Sequence, residues 1–279
     1  MKEKISISLI VFNQEYIDNF FKFSFNSIIN NIEKFKNFEI LLLITTENKY
    51  QNLFKEKFKI LKNNSLKIIF DNKILKQYNN KFSYSILTKI QAAHSLKAKQ
   101  ENSNFIYYTY ADMIYNNNCF INSFNALKNS KKSVCLTFAL LLKNSDLFFQ
   151  FYEKLVKEKD YINFLIEKPN IIDKFHQSFS IENINTNKSF IYEIHSDNLS
   201  IKALHTHPIC IQLTNIKYET IIQLQNKNII SLDNGFLECL DINNEEIYVE
   251  EDFNKASVFS VDNNEINRTF ADFKKYCKL

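Results

Sequence analysis

A single glycine, Gly235, in a chain of 279 residues removes more possibilities than any motif adds. A GxGxxG dinucleotide turn, a Walker A loop, a kinase glycine loop and a GxSxG elbow all need glycine where the backbone turns sharply or approaches phosphate. None of them can be built here. The chain also has one arginine, Arg268. A phosphate-binding site in it must therefore lean on lysines, a metal ion or backbone amides rather than on a guanidinium fork. The whole chain is 45% hydrophobic and 15% aromatic, a composition for a packed globule rather than a disordered chain.

The apolar pattern sets the fold class. Ile5 to Phe12, Glu39 to Thr46, Leu66 to Phe70, Phe105 to Tyr110 and Ser133 to Phe138 read as strands, several of them apolar throughout. Between them, Glu15 to Glu33, Tyr50 to Leu61, Ser83 to Lys99 and Cys119 to Lys128 carry apolar residues at helical spacing. Buried strands alternating with helices predict an α/β fold, a mainly parallel sheet covered on both faces. Helices are expected over Asp146 to Lys159 and Tyr161 to Phe175, the second broken or kinked by Pro169. Strands are expected at Phe190 to Ile194, Leu199 to Leu204, Cys210 to Leu213, Ile229-Ile230 and Ile247 to Val249. The whole, 1–279, reads as one domain with a smaller acidic α+β part from about 216.

Charge is divided unevenly. The formal net charge is +4, yet Asp233 to Phe273 holds eleven acidic residues against Lys255 and Arg268. The lysine-rich body suits anionic sugar-phosphate or membrane-surface partners, or a solvated lysine surface. No basic–aromatic array of a nucleic-acid module is present, so that class is set aside. Cysteines at 119, 135, 210, 239 and 277 have no paired spacing, which fits reduced thiols in a cytoplasmic protein. The first residues, Met1 to Val11, are too short and too alternating for a signal peptide or a membrane span.

Two segments carry chemistry. Phe105-Ile-Tyr-Tyr-Thr-Tyr-Ala-Asp112 is an aromatic run that stops at a carboxylate, as a buried strand does when it delivers an acid to the carboxyl edge of a sheet. Leu204-His-Thr-His-Pro208 places His205 and His207 on one face of an extended segment. A hard oxygen ligand with imidazole is a set for a divalent ion. Asp112 also reads as a turn cap, and Asn13, at the end of the first strand, as a helix cap. His94, His176 and His195 are isolated.

The run Ser8-Leu-Ile-Val-Phe-Asn-Gln-Glu-Tyr16 resembles the first strand and loop of glycosyltransferases with the nucleotide-diphospho-sugar (GT-A) fold. Phe105 to Asp112 falls where those enzymes carry their Asp-x-Asp motif, and His205-Thr-His-Pro208 is similar to an HxHP element in a bacterial group of that fold. The resemblance covers most of residues 5–213, with weaker echoes from Ser231 to Ile242. It implies a GT-A-like, Rossmann-like sheet and transfer of a sugar from a nucleotide-diphosphate donor to a glycan or lipid-linked acceptor hydroxyl. It further implies a role in bacterial surface glycan synthesis, in the cytoplasm or peripherally at the inner membrane surface. Val11, Phe12, Asn13, Tyr110 and Asp112 would meet the donor. Asp112, His205 and His207 would hold Mn²⁺ or Mg²⁺, and Asp197 or Glu193 would act as general base. A full Asp-x-Asp needs a second carboxylate at 110 or 114, where this chain has Tyr110 and Ile114. The histidines would have to complete the shell. Two rivals remain: a nucleotidyl- or phospho-transferase at the same edge, and a non-catalytic nucleotide-sugar-binding protein.

Overall fold

The computed structural model describes residues 2–61, 65–78, 84–142, 192–196, 199–203, 205–226, 240, 242, 244–250 and 255–261. Over 84–85, 138–142, 192–196, 199–203, 205–209, 244, 257 and 260–261 it describes the backbone alone. The helices expected within 146–175 and the strand at 229–230 lie outside these residues, as do His176 and Asp197.

The expected alternation is present. Strands β1 (Lys4–Ile10), β2 (Glu39–Thr45), β3 (Leu66–Phe70) and β4 (Phe105–Tyr110) are joined through helices α1 (Gln14–Asn19), α2 (Phe25–Ile32), α3 (Gln51–Phe58), α4 (Lys73–Gln77) and α5 (Tyr84–Gln100). After β4 come β5 (Met113–Tyr115), α6 (Cys119–Ser130), β6 (Val134–Leu142), β7 (Tyr192–Ser196), β8 (Leu199–Ala203), β9 (His205–Gln212), α7 (Tyr218–Asn226), β10 (Ile247–Val249) and β11 (Ser257–Val261). The order across the main sheet is β3-β2-β1-β4-β9-β6-β11-β5, with β10 also on β6, while β7 and β8 form a separate pair. Strands β3, β2, β1 and β4 are mutually parallel. Strand β9 runs antiparallel between β4 and β6.

The chain's first strand is central, and the next two add outward on one side of it, as in doubly wound folds. Such sheets gather ligands outside the carboxyl ends of their strands, where the order reverses. Here that point is between β1 and β4.

Every residue of β4 is buried, so each tyrosine hydroxyl needs a partner. Tyr107 donates to the Phe120 carbonyl (2.8 Å), Tyr108 shares a hydrogen bond with Ser95 (2.6 Å), and Tyr110 accepts from Gln91 Nε2 (2.8 Å). On the α6 side the Tyr107 ring stacks on Phe120 at 4.8 Å between centroids. A second aromatic cluster of Phe20, Phe21, Phe25, Phe54 and Phe58 clamps α3 against the first helices.

The helix expected over Glu15 to Glu33 is interrupted. A π-helical segment, Phe20–Ser24, separates α1 from α2. Its wider turn brings Ser24 to face the sheet, fully buried, where it donates to the Ala111 carbonyl at 2.7 Å. The strand expected from Cys210 begins at His205 instead. Pro208 is tolerated inside it because the β6–β9 register shifts between Cys135 and Leu136, directly beside its partner position. Cys135 and Cys210 face each other across this ladder as buried free thiols, and burial pushes the Cys135 thiol up to about 12. They are core residues rather than nucleophiles.

Candidate functional site

Ile10 lies opposite both Thr45 and Tyr110, and Ile44 opposite Phe70. The carboxyl ends of four parallel strands therefore end at one level. The residues that follow them, Val11 to Asn13, Thr46-Glu47, Asp71-Asn72 and Ala111-Asp112, share one edge. Because β9 is antiparallel to β4, it starts at that edge. Its first positions are His205, paired in register with Ala139, and His207, paired with Thr137. The sequence thus brings Asn13, Asp112 and the HTHP segment to one end of the sheet. Glu193 belongs to the separate β7–β8 pair, in register with Lys202.

The rim is held by side chains. The Asn13 N–H donates to Glu47 Oε2 (3.1 Å), the Thr46 N–H to Asn72 Oδ1 (3.1 Å), and Asn72 Nδ2 to Asn48 Oδ1 (3.2 Å). Beneath it, His94 is fully buried between Ser8 (Nδ1, 2.7 Å) and Thr45 (Nε2, 2.9 Å). Thr45 Oγ1 gives its one proton to the Asp71 carbonyl at 2.5 Å, so it accepts from His94. That assigns the neutral Nε2–H tautomer, with Ser8 donating to Nδ1. Burial drives the imidazole down to about 4, against a smaller upward pull from Asp71.

Two oxygens of the rim, Asn13 Oδ1 and Thr46 Oγ1, are buried and make no hydrogen bond among the described residues. Such groups cost about 1–3 kcal/mol each when left unmet. Asn13 is also strained: its φ of 66° and ψ of 152° lie in a region normally occupied by glycine. Unmet polar groups and backbone strain at a sheet edge are the features expected of a ligand-binding loop.

The side chains of Val11 and Phe12 point into the core, 1% and 3% exposed, so only their backbone groups can meet a ligand. The turn bearing the half-buried Asp112 is fixed from behind. Besides Ser24 on the Ala111 carbonyl, the Tyr115 N–H donates to Ser27 Oγ (3.2 Å), the Tyr110 N–H to Tyr115 Oη (3.3 Å), and Asn31 Nδ2 to the Asn116 carbonyl (2.8 Å). Sequence reading missed Thr46, Glu47, Asp71 and Asn72 as site residues, although Thr46 ends an expected strand and the other three come just after one. It also missed Ser24, Ser27 and Asn31, whose spacing of three and four puts polar groups on the inward stripe of a helix.

Two cavities of about 290 and 200 Å³ open at the opposite, amino edge, beside Asn104 and Thr214. Lys128 is already paired there with Glu3 at 2.9 Å. Neither cavity reaches Asn13 or Asp112, and the unmet oxygens favour the carboxyl edge.

Replacing Asn13 by glycine should raise stability by about 1 kcal/mol, because relief of strain exceeds glycine's added chain entropy. Any ligand that meets Oδ1, a nucleoside diphosphate included, should bind more weakly once that acceptor is lost. Thermal melts and calorimetry with UDP or GDP read both effects; a lower melting temperature would show that the native conformation there is not strained.

No protein-family model and no curated protein matches the chain. Similar solved structures include TarS of S. aureus, residues 1–349, in complex with UDP-GlcNAc: 11% identity, TM-score 0.47, over 95% of this chain and 59% of that one. Core-mannan synthase A of Aspergillus fumigatus, in a Mn/GDP form, aligns at 12% identity and TM-score 0.48, over 95% of this chain and 75% of that one. The 4-diphosphocytidyl-2C-methyl-D-erythritol synthase of Anaerococcus prevotii aligns at 10% identity and TM-score 0.43, over 98% and 99% of the two chains. The chain spans about three fifths of the TarS fragment. At these identities and TM-scores no residue role passes from those proteins to this one.

Proposed function

We propose that the chain is a glycosyltransferase that moves a sugar from a nucleotide-diphosphate donor to an acceptor hydroxyl. The observation that carries this reading is the carboxyl edge of β1 to β4. There a strained Asn13, two unmet buried oxygens and Asp112 stand on one rim, in the place where doubly wound sheets take nucleotides. Glu47, its carboxylate largely covered, is suited to accept ribose hydroxyls, as acids after the second strand do in dinucleotide folds. Backbone groups of Val11 and Phe12 line the approach.

Asp112, with His205 and His207 from the start of β9, is the donor set proposed for Mn²⁺ or Mg²⁺. A carboxylate oxygen with imidazole nitrogens fits such an ion by chemistry. Phosphate oxygens of the donor would complete the shell. Bound there, the ion would neutralise charge on the leaving diphosphate. Glu193 and Asp197 are the proposed general bases for the acceptor hydroxyl. The acceptor class, a surface glycan or lipid-linked sugar used at the inner face of a bacterial membrane, rests on the sequence resemblance. No helix among the described residues is long and apolar enough to cross a membrane.

Incubation with UDP-, GDP- and CMP-sugars decides the reaction class. Release of free nucleoside diphosphate, or of CMP from a CMP-sugar, is the expected result. Pyrophosphate formed from a nucleoside triphosphate and a sugar phosphate would instead make the chain a nucleotidyltransferase. Binding without turnover would make it a binding protein.

A further inference from the structure

We infer that the outer stripe of α3 is a docking surface for an anionic phospholipid bilayer. The inner face of this helix is fixed by Phe54 and Phe58, which are buried in the aromatic cluster. Along its outside, Lys49 in the 3-10 turn before the helix, Leu53 and Lys57 on it and Ile60 in the turn after it follow at spacings of four, four and three, so that cations and apolar groups alternate. Leu53 is 37% exposed and Ile60 58%, the most exposed large apolar residue among those described.

Scattered apolar side chains on a surface are ordinary. This pair differs because of the lysines around it. The Lys49 ammonium lies 4.6 Å from the Tyr50 ring centre, Lys57 5.8 Å from Phe21, and Lys55 5.7 Å from Phe70. The lysine stems are thus laid along aromatic surface, with their charges held at fixed places on both flanks of the helix. Glu56, the one acid of the helix, is taken up by Lys59 at 2.6 Å, and Glu47 lies 3.8 Å from Lys49. Lys55 and Lys57 have no carboxylate partner among the described residues.

A surface with net positive charge and two projecting aliphatic side chains is complementary to lipid headgroups over an acyl boundary. The lysines meet phosphates, and Leu53 and Ile60 enter the interface. Affinity of this kind is modest and salt-dependent. It suits reversible peripheral association, and it stands independently of the proposed sugar transfer.

Co-sedimentation of the full chain with sucrose-loaded vesicles, without any sugar donor, tests this. The protein should pellet with an equal mixture of phosphatidylcholine and phosphatidylglycerol and stay in solution with phosphatidylcholine alone. Raised salt should release it. Lys57→Gln should weaken partitioning about fivefold, Lys57→Glu more, and Leu53→Ser with Ile60→Ser should abolish it. Lys131→Glu, on an exposed residue at the far edge of the sheet, should bind as the wild type does. Thermal melts check that each variant is folded, and Ile60→Ser alone serves if the double variant is not. Equal pelleting with neutral vesicles, wild-type binding by the α3 variants, or an equal loss in Lys131→Glu would each overturn the inference. Preference for a soluble polyanion over vesicles would assign the face to another partner and overturn it as well.

Discussion

Asp112→Asn should lower donor turnover about a hundredfold or more, equivalent to roughly 3 kcal/mol of transition-state stabilisation, and leave the fold intact. The substitution keeps the shape and removes one negative charge at the carboxyl end of β4. If that charge engages the diphosphate through a metal ion, the loss falls on the chemical step. The turn is also held by Ser24, Ser27 and Tyr115, which fix the backbone on either side of the position. A carboxylate that served only as a turn cap would behave in the opposite way, with a lower melting temperature and unchanged turnover. Parallel melts and donor-hydrolysis assays separate the two outcomes. Full turnover in a folded Asp112→Asn protein would remove this residue from the mechanism, and with it much of the case for sugar transfer. Addition of EDTA to the wild type separates a metal-assisted site from one that relies on lysines.

The fold was legible where burial dictates sequence. Strands β3, β4 and β10 begin and end where the apolar runs do, and β4, buried at every position, is the plainest case of a strand whose burial demands apolar and aromatic residues. Two short elements, α4 and β5, were not legible. Helix α4 has five residues and β5 three, too few for a period to register. The π-helical segment was hidden because its phenylalanines keep the apolar stripe almost unbroken. The start of strand β9 was read five residues late because Pro208 suggests an end, and the β-bulge that admits it depends on a partner strand distant in sequence. Asp112 and Asn13 stood out as polar residues directly after apolar strands. Glu47, Asp71 and Asn72 obey the same rule, yet their hydrogen bonds join three separate loops, and no single stretch of sequence contains them. His94 read as an isolated histidine. Its role comes from Ser8 and Thr45 on two other strands.

Acidification should destabilise the protein through His94. The imidazole is neutral in the folded state, donating to Thr45 and accepting from Ser8, and burial lowers it from 6.5 to about 4. Near neutral pH neither the folded nor the unfolded chain protonates it, so it exerts no pH-dependent effect. Below 6.5 the unfolded chain binds a proton that the folded one refuses, and stability falls until about pH 4, where the folded state also accepts it. At about 1.36 kcal/mol per pH unit, the full loss is about 3 kcal/mol. Urea unfolding across this range measures it. His94→Gln, which keeps an amide donor and does not titrate, should be less stable near neutrality because its fit between Ser8 and Thr45 is poorer. Its stability should fall less steeply with acid, and the difference between the two curves isolates His94 from the background of carboxylates. Parallel curves would show that the proton is taken up elsewhere. Because Thr45 links His94 to the Asp71 carbonyl, the rim that includes Asn72 and Thr46 should loosen only where the folded state itself takes up the proton, near pH 4 and below.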